Sequence, residues 1–351
     1  MVSHGFVLGD RRLNAVDSHA DWCAAYGELG PYRFIGASAI GKWHLREGRP
    51  REDAFAIRTI GAWIAIAVSD GVGSRPNSRY GASFAVEALC EHLAREALGE
   101  GLPPALAPSP AESEGGVREG DSSPPREERG RINLPLDVDS HEPLAPSDAR
   151  AFECGTLYWH RSPLHNDGSS YRRFPTEEMV RRAFRNTRRD LEQFAGSRTM
   201  ALSEVSCTLL GMVLDTETGA VAVGQIGDGC IAWSHPSHGA QPIVEAPLPG
   251  EVGETYVLTQ SDWETHLAVR ACSPEEAAGA RAFYVMTDGV ADDCTYPPPD
   301  DIFHRWAQDM DREMRKEEPL PQKARRLLRW LATYEVKGSW DDRTLVVVWR
   351  I

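Results

Sequence analysis

One short apolar run that stops abruptly at Asp-Gly constrains this chain more than any other feature. Ala62-Trp63-Ile64-Ala65-Ile66-Ala67-Val68 leads straight into Ser69-Asp70-Gly71-Val72-Gly73-Ser74. The run is brief and rich in β-branched residues, which reads as a buried strand and not as a helix. Ending it at Asp-Gly-x-Gly puts a carboxylate on a sheet edge, with a backbone behind it that turns tightly. A lone Asp-Gly usually closes an ordinary turn, but here the device recurs. Phe283-Tyr284-Val285-Met286-Thr287-Asp288-Gly289-Val290 is again an apolar strand ending in Asp-Gly. A further strand begins Trp340-Asp341-Asp342-Arg343-Thr344 and carries its acids at the start. Gly227-Asp228-Gly229 lies between two strand-like runs and, taken alone, reads as a hairpin turn.

The remainder of the chain supplies strands and helices around these junctions. Residues 1–33 are weakly patterned and read as an N-terminal extension, and 34–351 as one domain. Phe34 to Ile40 alternates as a strand. The polar loop Gly41 to Arg51 then delivers Glu52-Asp53 into the strand Ala54-Phe55-Ala56-Ile57. Arg79 to Leu98 forms a helix with Ser78 as N-cap, and Thr176 caps a second helix through Phe194. Between them, 99–150 is rich in Pro, Gly, Ser and Glu. It buries too little apolar surface to offset its ordering entropy, so it reads as a disordered insertion. Strands follow at 206–214, 220–226 and from Cys230, then a polar excursion at 235–281 that reads as a surface flap. A helical pair spans 302–316 and 322–334. Together these give an α+β protein with two mostly antiparallel sheets and helices packed outside.

Charge narrows the function. The formal net charge is −14, which argues against a nucleic-acid surface, since that needs a basic stripe. Acid gathered at strand ends attracts cations instead. The seven cysteines are odd in number and form no CxxC pair, as expected of reduced thiols in a cytoplasmic protein. No signal peptide is evident, and no apolar run approaches the ~20 residues that cross a bilayer. Cys154, His160 and His165 lack a fourth zinc ligand at a usual spacing. Glu52, Asp53, Asp70, Asp228, Asp288 and Asp341 have no His or Cys set beside them, so the site is built of oxygen and suits Mg²⁺ or Mn²⁺. Carboxylates brought together without cations repel and raise one another's pKa, so their gathering implies metal. Two such ions clamp an attacking hydroxide and a phosphoryl group. Lys42, His44, Arg46 and Arg49 in the adjoining loop are candidates to hold phosphate.

In this order the motifs resemble those of the metal-dependent protein phosphatases of the PPM, or type 2C, family. They are Glu52-Asp53, Asp70-Gly71-Val72-Gly73, Gly227-Asp228-Gly229, Asp288-Gly289 and Asp341-Asp342-x-Thr344. Gly41-x-x-His44, Gly48-x-Pro50-x-Glu52-Asp53 and Gly250-Glu251 resemble a bacterial branch. The resemblance covers roughly 34–98 and 176–351. It implies an α-β-β-α sandwich and hydrolysis of phosphoserine and phosphothreonine in proteins, without a phosphoenzyme. The phosphoprotein substrate implies in turn an opposing serine/threonine kinase. By the same resemblance Asp70 bridges two ions, the Gly71 carbonyl binds one, and Asp288 and Asp341 complete the other. Glu52 and Asp53 serve the Gly71-side ion directly or through its waters, and Asp228 with Asp288 holds a weaker third ion. The chain departs from many eukaryotic members, which have His where Val72 stands as a proton donor. That role falls here to a metal-bound water or to His44. Arg343 fits surface packing as well as a catalytic role. The alternative function is a catalytically weak or inactive signalling module of the same fold.

Overall fold

A computed structural model describes residues 4–9, 20–99, 155–160, 174–237, 239–247, 249, 254–295 and 301–351. The chain runs β1 (His4–Gly9), β2 (Trp22–Leu29), β3 (Tyr32–Ala39), α1 (Lys42–Glu47), β4 (Ala54–Ile60), β5 (Trp63–Ser69), α2 (Ser78–Leu98) and β6 (Gly155–His160). It continues through α3 (Glu177–Ser197), β7 (Leu209–Asp215), β8 (Val221–Ile226), β9 (Cys230–His235), β10 (Gly239–Pro242), α4 (Trp263–His266) and β11 (Ala268–Cys272). The last elements are β12 (Ala282–Met286), α5 (Asp288–Thr295), α6 (Asp301–Arg315), α7 (Leu320–Thr333) and β13 (Arg343–Arg350).

Two sheets result, ordered β1-β2-β3-β13-β12-β9-β10 and β11-β8-β7-β5-β4-β6. All neighbours are antiparallel except β4 and β6, which run parallel. Alternation along each strand divides the core into three layers. In β5, Ile64, Ile66 and Val68 face the opposite sheet, while Ala65 and Ala67 face α2 and α3. In β13, Val346 and Val348 join the inter-sheet core, and Leu345, Val347 and Trp349 pack under α5, α6 and α7. Because both faces are covered, these strands read in sequence as nearly unbroken apolar runs. The fold is an α-β-β-α sandwich. Its large β-branched and aromatic side chains lie between the sheets, and small alanines of β5 lie beneath α2.

Several expectations change on folding. The weakly patterned stretch before residue 34 contributes β2, which pairs with β3 along its whole length from Trp22↔Ala39 to Leu29↔Tyr32. The loop Gly41 to Arg51 contains α1, ended by Gly48 in the left-handed region at φ 70°. Ser78 does not cap α2; it is the first helical residue, and its hydroxyl lies 3.1 Å from Glu52 Oε2. Thr176 does cap α3, accepting from Met179 N at 3.2 Å. The 235–281 stretch supplies an edge strand to each sheet, β10 and β11, and buries Leu258, Trp263 and Leu267 in the layer under α2 and α3. Residues 100–150 of the expected insertion, Cys154, His165 and Gly250-Glu251 lie outside the described residues, as does the side chain of His160. The six described cysteines are all buried.

Candidate active site

The strand-end acids converge. Asp70 follows β5, Asp288 follows β12 and opens α5, Asp341 precedes β13, and Asp228 sits in the β8–β9 turn. Asp288 therefore stands at a strand-to-helix junction, with only Thr287 between the apolar strand and α5. Burial pushes the carboxyl of Asp70 well above the usual range, and Asp288, Asp53, Asp341 and Asp228 push it further. Asp288 is raised in the same way, by burial and then by Asp228, Asp341, Asp53 and Asp292. Residues separated by more than two hundred positions thus lie within electrostatic reach of one another.

Tight backbone approach makes this possible. A Cβ on Gly41 would collide with the backbone of Asp341, and one on Gly289 would collide with the Asp342 carbonyl. The 341–342 segment is therefore held between the entry to α1 and the first turn of α5. Asp70 is fixed from the neighbouring strand, its N–H donating to Thr208 Oγ1 at 2.9 Å and its carbonyl accepting from Thr208 N at 2.9 Å.

Glu52 and Asp53 belong to a second, more fully bonded group. Asp53 is buried, and its Oδ2 accepts from Thr287 Oγ1 at 2.8 Å and Thr344 Oγ1 at 2.7 Å. Its pKa is raised to about 7, chiefly by burial and then by Asp342. Glu52 Oε1 accepts from Arg49 Nη2 at 2.5 Å, and the same guanidinium reaches the Gly73 carbonyl at 2.7 Å. Fully buried Arg51 lies directly beneath, donating to the carbonyls of Ala20 at 3.0 Å and Asp53 at 2.8 Å.

Asp342 organises this group, and the sequence reading gave it no role. Its carboxylate accepts from Gly41 N at 2.6 Å, Glu52 N at 2.6 Å and Asp53 N at 3.4 Å. His44 Nδ1 lies 2.9 Å from it, and His44 Nε2 lies 4.0 Å from Glu52 Oε1. His44 is buried. Burial acts to lower its pKa, but Asp342, Glu52 and Asp341 outweigh that and raise it. The available signal was the doubled acid Asp341-Asp342 followed by Thr344, together with Thr287 directly before Asp288.

Of the remaining phosphate candidates only Arg49 shares Glu52 with His44. Lys42 Nζ pairs with Glu335 at 3.1 Å, Arg46 is exposed, and Arg49 is engaged with Glu52 and Gly73. Arg343 is not at the surface. It is 4 % exposed, donates to the carbonyls of Leu331 in the last turn of α7 and of Tyr334 at its end, and stacks 3.7 Å over the Tyr334 ring.

The donor set fits a hard divalent cation. Buried Oδ1 atoms of Asp53 and Asp228 have no hydrogen-bond partner, and the strongest charges acting on Asp70 and Asp288 are other carboxylates. Among the described residues no group of three or more His, Cys, Asp or Glu side chains is arranged to hold a metal ion.

Comparison with known proteins follows the same line. The chain matches the sequence profile of protein phosphatase 2C over residues 40–114 and 159–332, and it belongs to that family. The match takes in His44, Glu52, Asp53, Asp70, Gly71, Asp228 and Asp288, breaks across the insertion, and ends before Asp341. No curated protein matches the chain. A crystal structure of a bacterial serine phosphatase variant is similar at 10 % identity and TM-score 0.50, with 91 % of this chain and 97 % of that one covered. The S. agalactiae serine/threonine phosphatase gives 10 % identity, TM-score 0.48 and coverage of 91 % and 100 %. RsbX in complex with magnesium gives 12 % identity, TM-score 0.41 and coverage of 91 % and 96 %. The family is one of metal-dependent serine/threonine protein phosphatases. No helix among the described residues is long and apolar enough to cross a membrane.

Proposed function

We propose that this chain is an active phosphatase that hydrolyses phosphoserine and phosphothreonine in proteins with two Mn²⁺ or Mg²⁺ ions. The observation that carries the reading is the cluster of strand-end carboxylates, each raising the others' affinity for protons, with no protein cation among their strongest neighbours. Asp70, the Gly71 carbonyl, Asp288 and Asp341 would hold the two ions, with Asp70 shared. Asp228 with Asp288 would hold a weaker third. When bound, the ions lower the pKa of water and neutralise charge on the transferring phosphoryl group.

The chain's own residues fix the frame for that chemistry. Thr287 and Thr344 hold one oxygen of Asp53 and leave the other to face the cluster. Asp342 sets the backbone of Glu52 against the start of β13. Arg49 clamps the Gly73 carbonyl to Glu52 and so closes the loop that carries Gly71. The His44 ring lies between the buried carboxylates of Asp342 and Glu52, which raise its affinity for a proton. That position suits a scaffold cation better than a phosphate ligand. Dephosphorylation of a protein requires a serine/threonine kinase to supply the substrate, and that kinase is the partner expected.

The test is turnover of p-nitrophenyl phosphate and a phosphoserine peptide by purified protein. Mn²⁺ should support hydrolysis, EDTA should stop it, and Asp70→Asn and Asp288→Asn should abolish it with less metal bound per chain. A folded sample that turns over neither substrate with Mn²⁺ or Mg²⁺ would favour the binding-module alternative.

A further inference from the structure

Asp288 and Asp341 come from different elements of the fold, and one buried carboxylate ties the two together. Asp293 lies in α5, the helix that Asp288 opens, and its side chain is 7 % exposed. Its Oδ2 accepts from Ser339 Oγ at 2.7 Å and from Tyr334 Oη at 2.7 Å, and Arg343 Nη2 stands 3.7 Å away. Ser339 comes two residues before Asp341 and Arg343 two residues after it. These flanking side chains also bond each other, Arg343 Nη2 donating to Ser339 Oγ at 2.9 Å. The segment that carries Asp341 is therefore drawn in at both ends toward one acid of α5.

The network is anchored on its far side as well. Arg343 Nη1 donates to the carbonyls of Leu331 at 3.0 Å and Tyr334 at 2.9 Å, and the guanidinium lies over the Tyr334 ring. The Tyr334 hydroxyl also lies 3.1 Å from the carbonyl of Gly289, the residue after Asp288. Gly289 in turn packs against the Asp342 carbonyl with no room for a Cβ. A buried charge whose partners are all fixed has one favourable geometry rather than a range. Asp288 and Asp341 lie within electrostatic reach and repel each other. On unlinked segments they would part when no cation is present, and an arriving ion would have to gather them. Holding their backbones beforehand removes that cost from binding.

We propose that Asp293, Arg343, Tyr334 and Ser339 are positioning residues that set Asp288 against Asp341 before metal arrives, and so set the affinity for the divalent ion these two acids share. The inference rests on the phosphatase reading above and adds to it residues outside the proposed ligand set. Loosening the network leaves every proposed ligand in the chain, so excess metal restores the site. The loss therefore falls on metal affinity and not on kcat at saturating metal.

The experiment measures Mn²⁺ binding to the full metal-free chain by calorimetry. Tyr334→Phe/Ser339→Ala keeps the ring beneath Arg343 and takes both hydroxyls from Asp293; its dissociation constant should rise about tenfold. Ser339→Ala alone should raise it about threefold, and Ser339→Thr, which keeps a hydroxyl, should restore it to within about twofold. At saturating Mn²⁺ the double variant should turn over p-nitrophenyl phosphate within about twofold of the unaltered protein. Leu327→Ala is the control, since it opens the core under α7 and leaves the four side chains in place. It should lower the melting temperature without weakening Mn²⁺ binding. An unchanged dissociation constant in the double variant, or an equal loss in Leu327→Ala, overturns the proposal. If circular dichroism shows the double variant unfolded, Ser339→Ala against Ser339→Thr decides by the same criterion. Failure of the unaltered protein to bind Mn²⁺ sinks the metal-dependent reading and the positioning network with it. Binding that is equally tight in the variants sinks the network alone.

Discussion

The acids of this site fall into two groups that differ in how they are bonded. Asp342 is buried with three backbone N–H groups and a histidine around its carboxylate. Asp70 and Asp288 face mainly other carboxylates, Asp228 among them, and an Asp228 oxygen is buried without a partner. Asp53 spans the two groups, one oxygen bonded to Thr287 and Thr344 and the other unpartnered. A carboxylate surrounded by donors holds the chain together. A carboxylate surrounded by carboxylates weakens the fold unless something cationic arrives. The first group is scaffold, and the second is the one proposed to hold metal.

The sharpest way to break that contrast is to remove one acid from each group. Asp70→Asn or Asp288→Asn should lower turnover on the order of 10³-fold, yet raise the melting temperature measured in EDTA, because a repelling charge is gone. A drop in melting temperature would place Asp70 with the scaffold acids. Asp342→Ala should do the reverse to the fold, lowering unfolding free energy by about 3 kcal/mol in denaturant titration, since Gly41 N, Glu52 N and His44 lose their partner. A loss under about 0.5 kcal/mol would remove it from the scaffold.

Adding Mn²⁺ at a hundred times its dissociation constant should stabilise the protein by about 2.7 kcal/mol, and the shift should vanish in Asp70→Asn. Differential scanning fluorimetry reads both.

The smallest effect is on pH. An unfolded Asp titrates near ~3.9, whereas folded Asp53 titrates at about 7, and Asp70 and Asp288 are also raised. The folded state then holds protons that the unfolded state has released, so stability is lost as pH rises through the folded value. Metal-free protein should melt lower at pH 8 than at pH 6.5, by roughly 1 kcal/mol for Asp53 alone. A higher melting point at pH 8 would mean the acids do not crowd as described.

Much of this was legible from residues alone, and the parts that were not share a cause. β5, β12 and β13 announced themselves because strands covered on both faces must be apolar throughout. The helix pair α6 and α7 was equally visible, since each turns one apolar stripe to its sheet. β2 was missed because its Ala, Gly and Cys residues carry little β signal by themselves; pairing with β3 along its full length makes it a strand. α1 was missed because a six-residue polar segment has no helical propensity worth reading, and contact with the 340–342 segment holds it. The polar run at 235–281 hid two edge strands for the same reason.

The sequence by itself determined the family, the strand ends at which acids stand, and the kind of ion such oxygens suit. These follow from local rules: apolar runs, Asp-Gly turns, and the chemistry of carboxylates. Only the tertiary structure decided which acids are bonded and which are left open. It also decided that Asp342 anchors the entry loop, that Arg343 serves α7, and that the backbones of Trp43 and Trp340 meet. Each of those depends on groups nearly three hundred positions apart or on the end of a neighbouring helix. A hydrogen bond requires atoms within about 3 Å, and no local pattern in a chain encodes that distance.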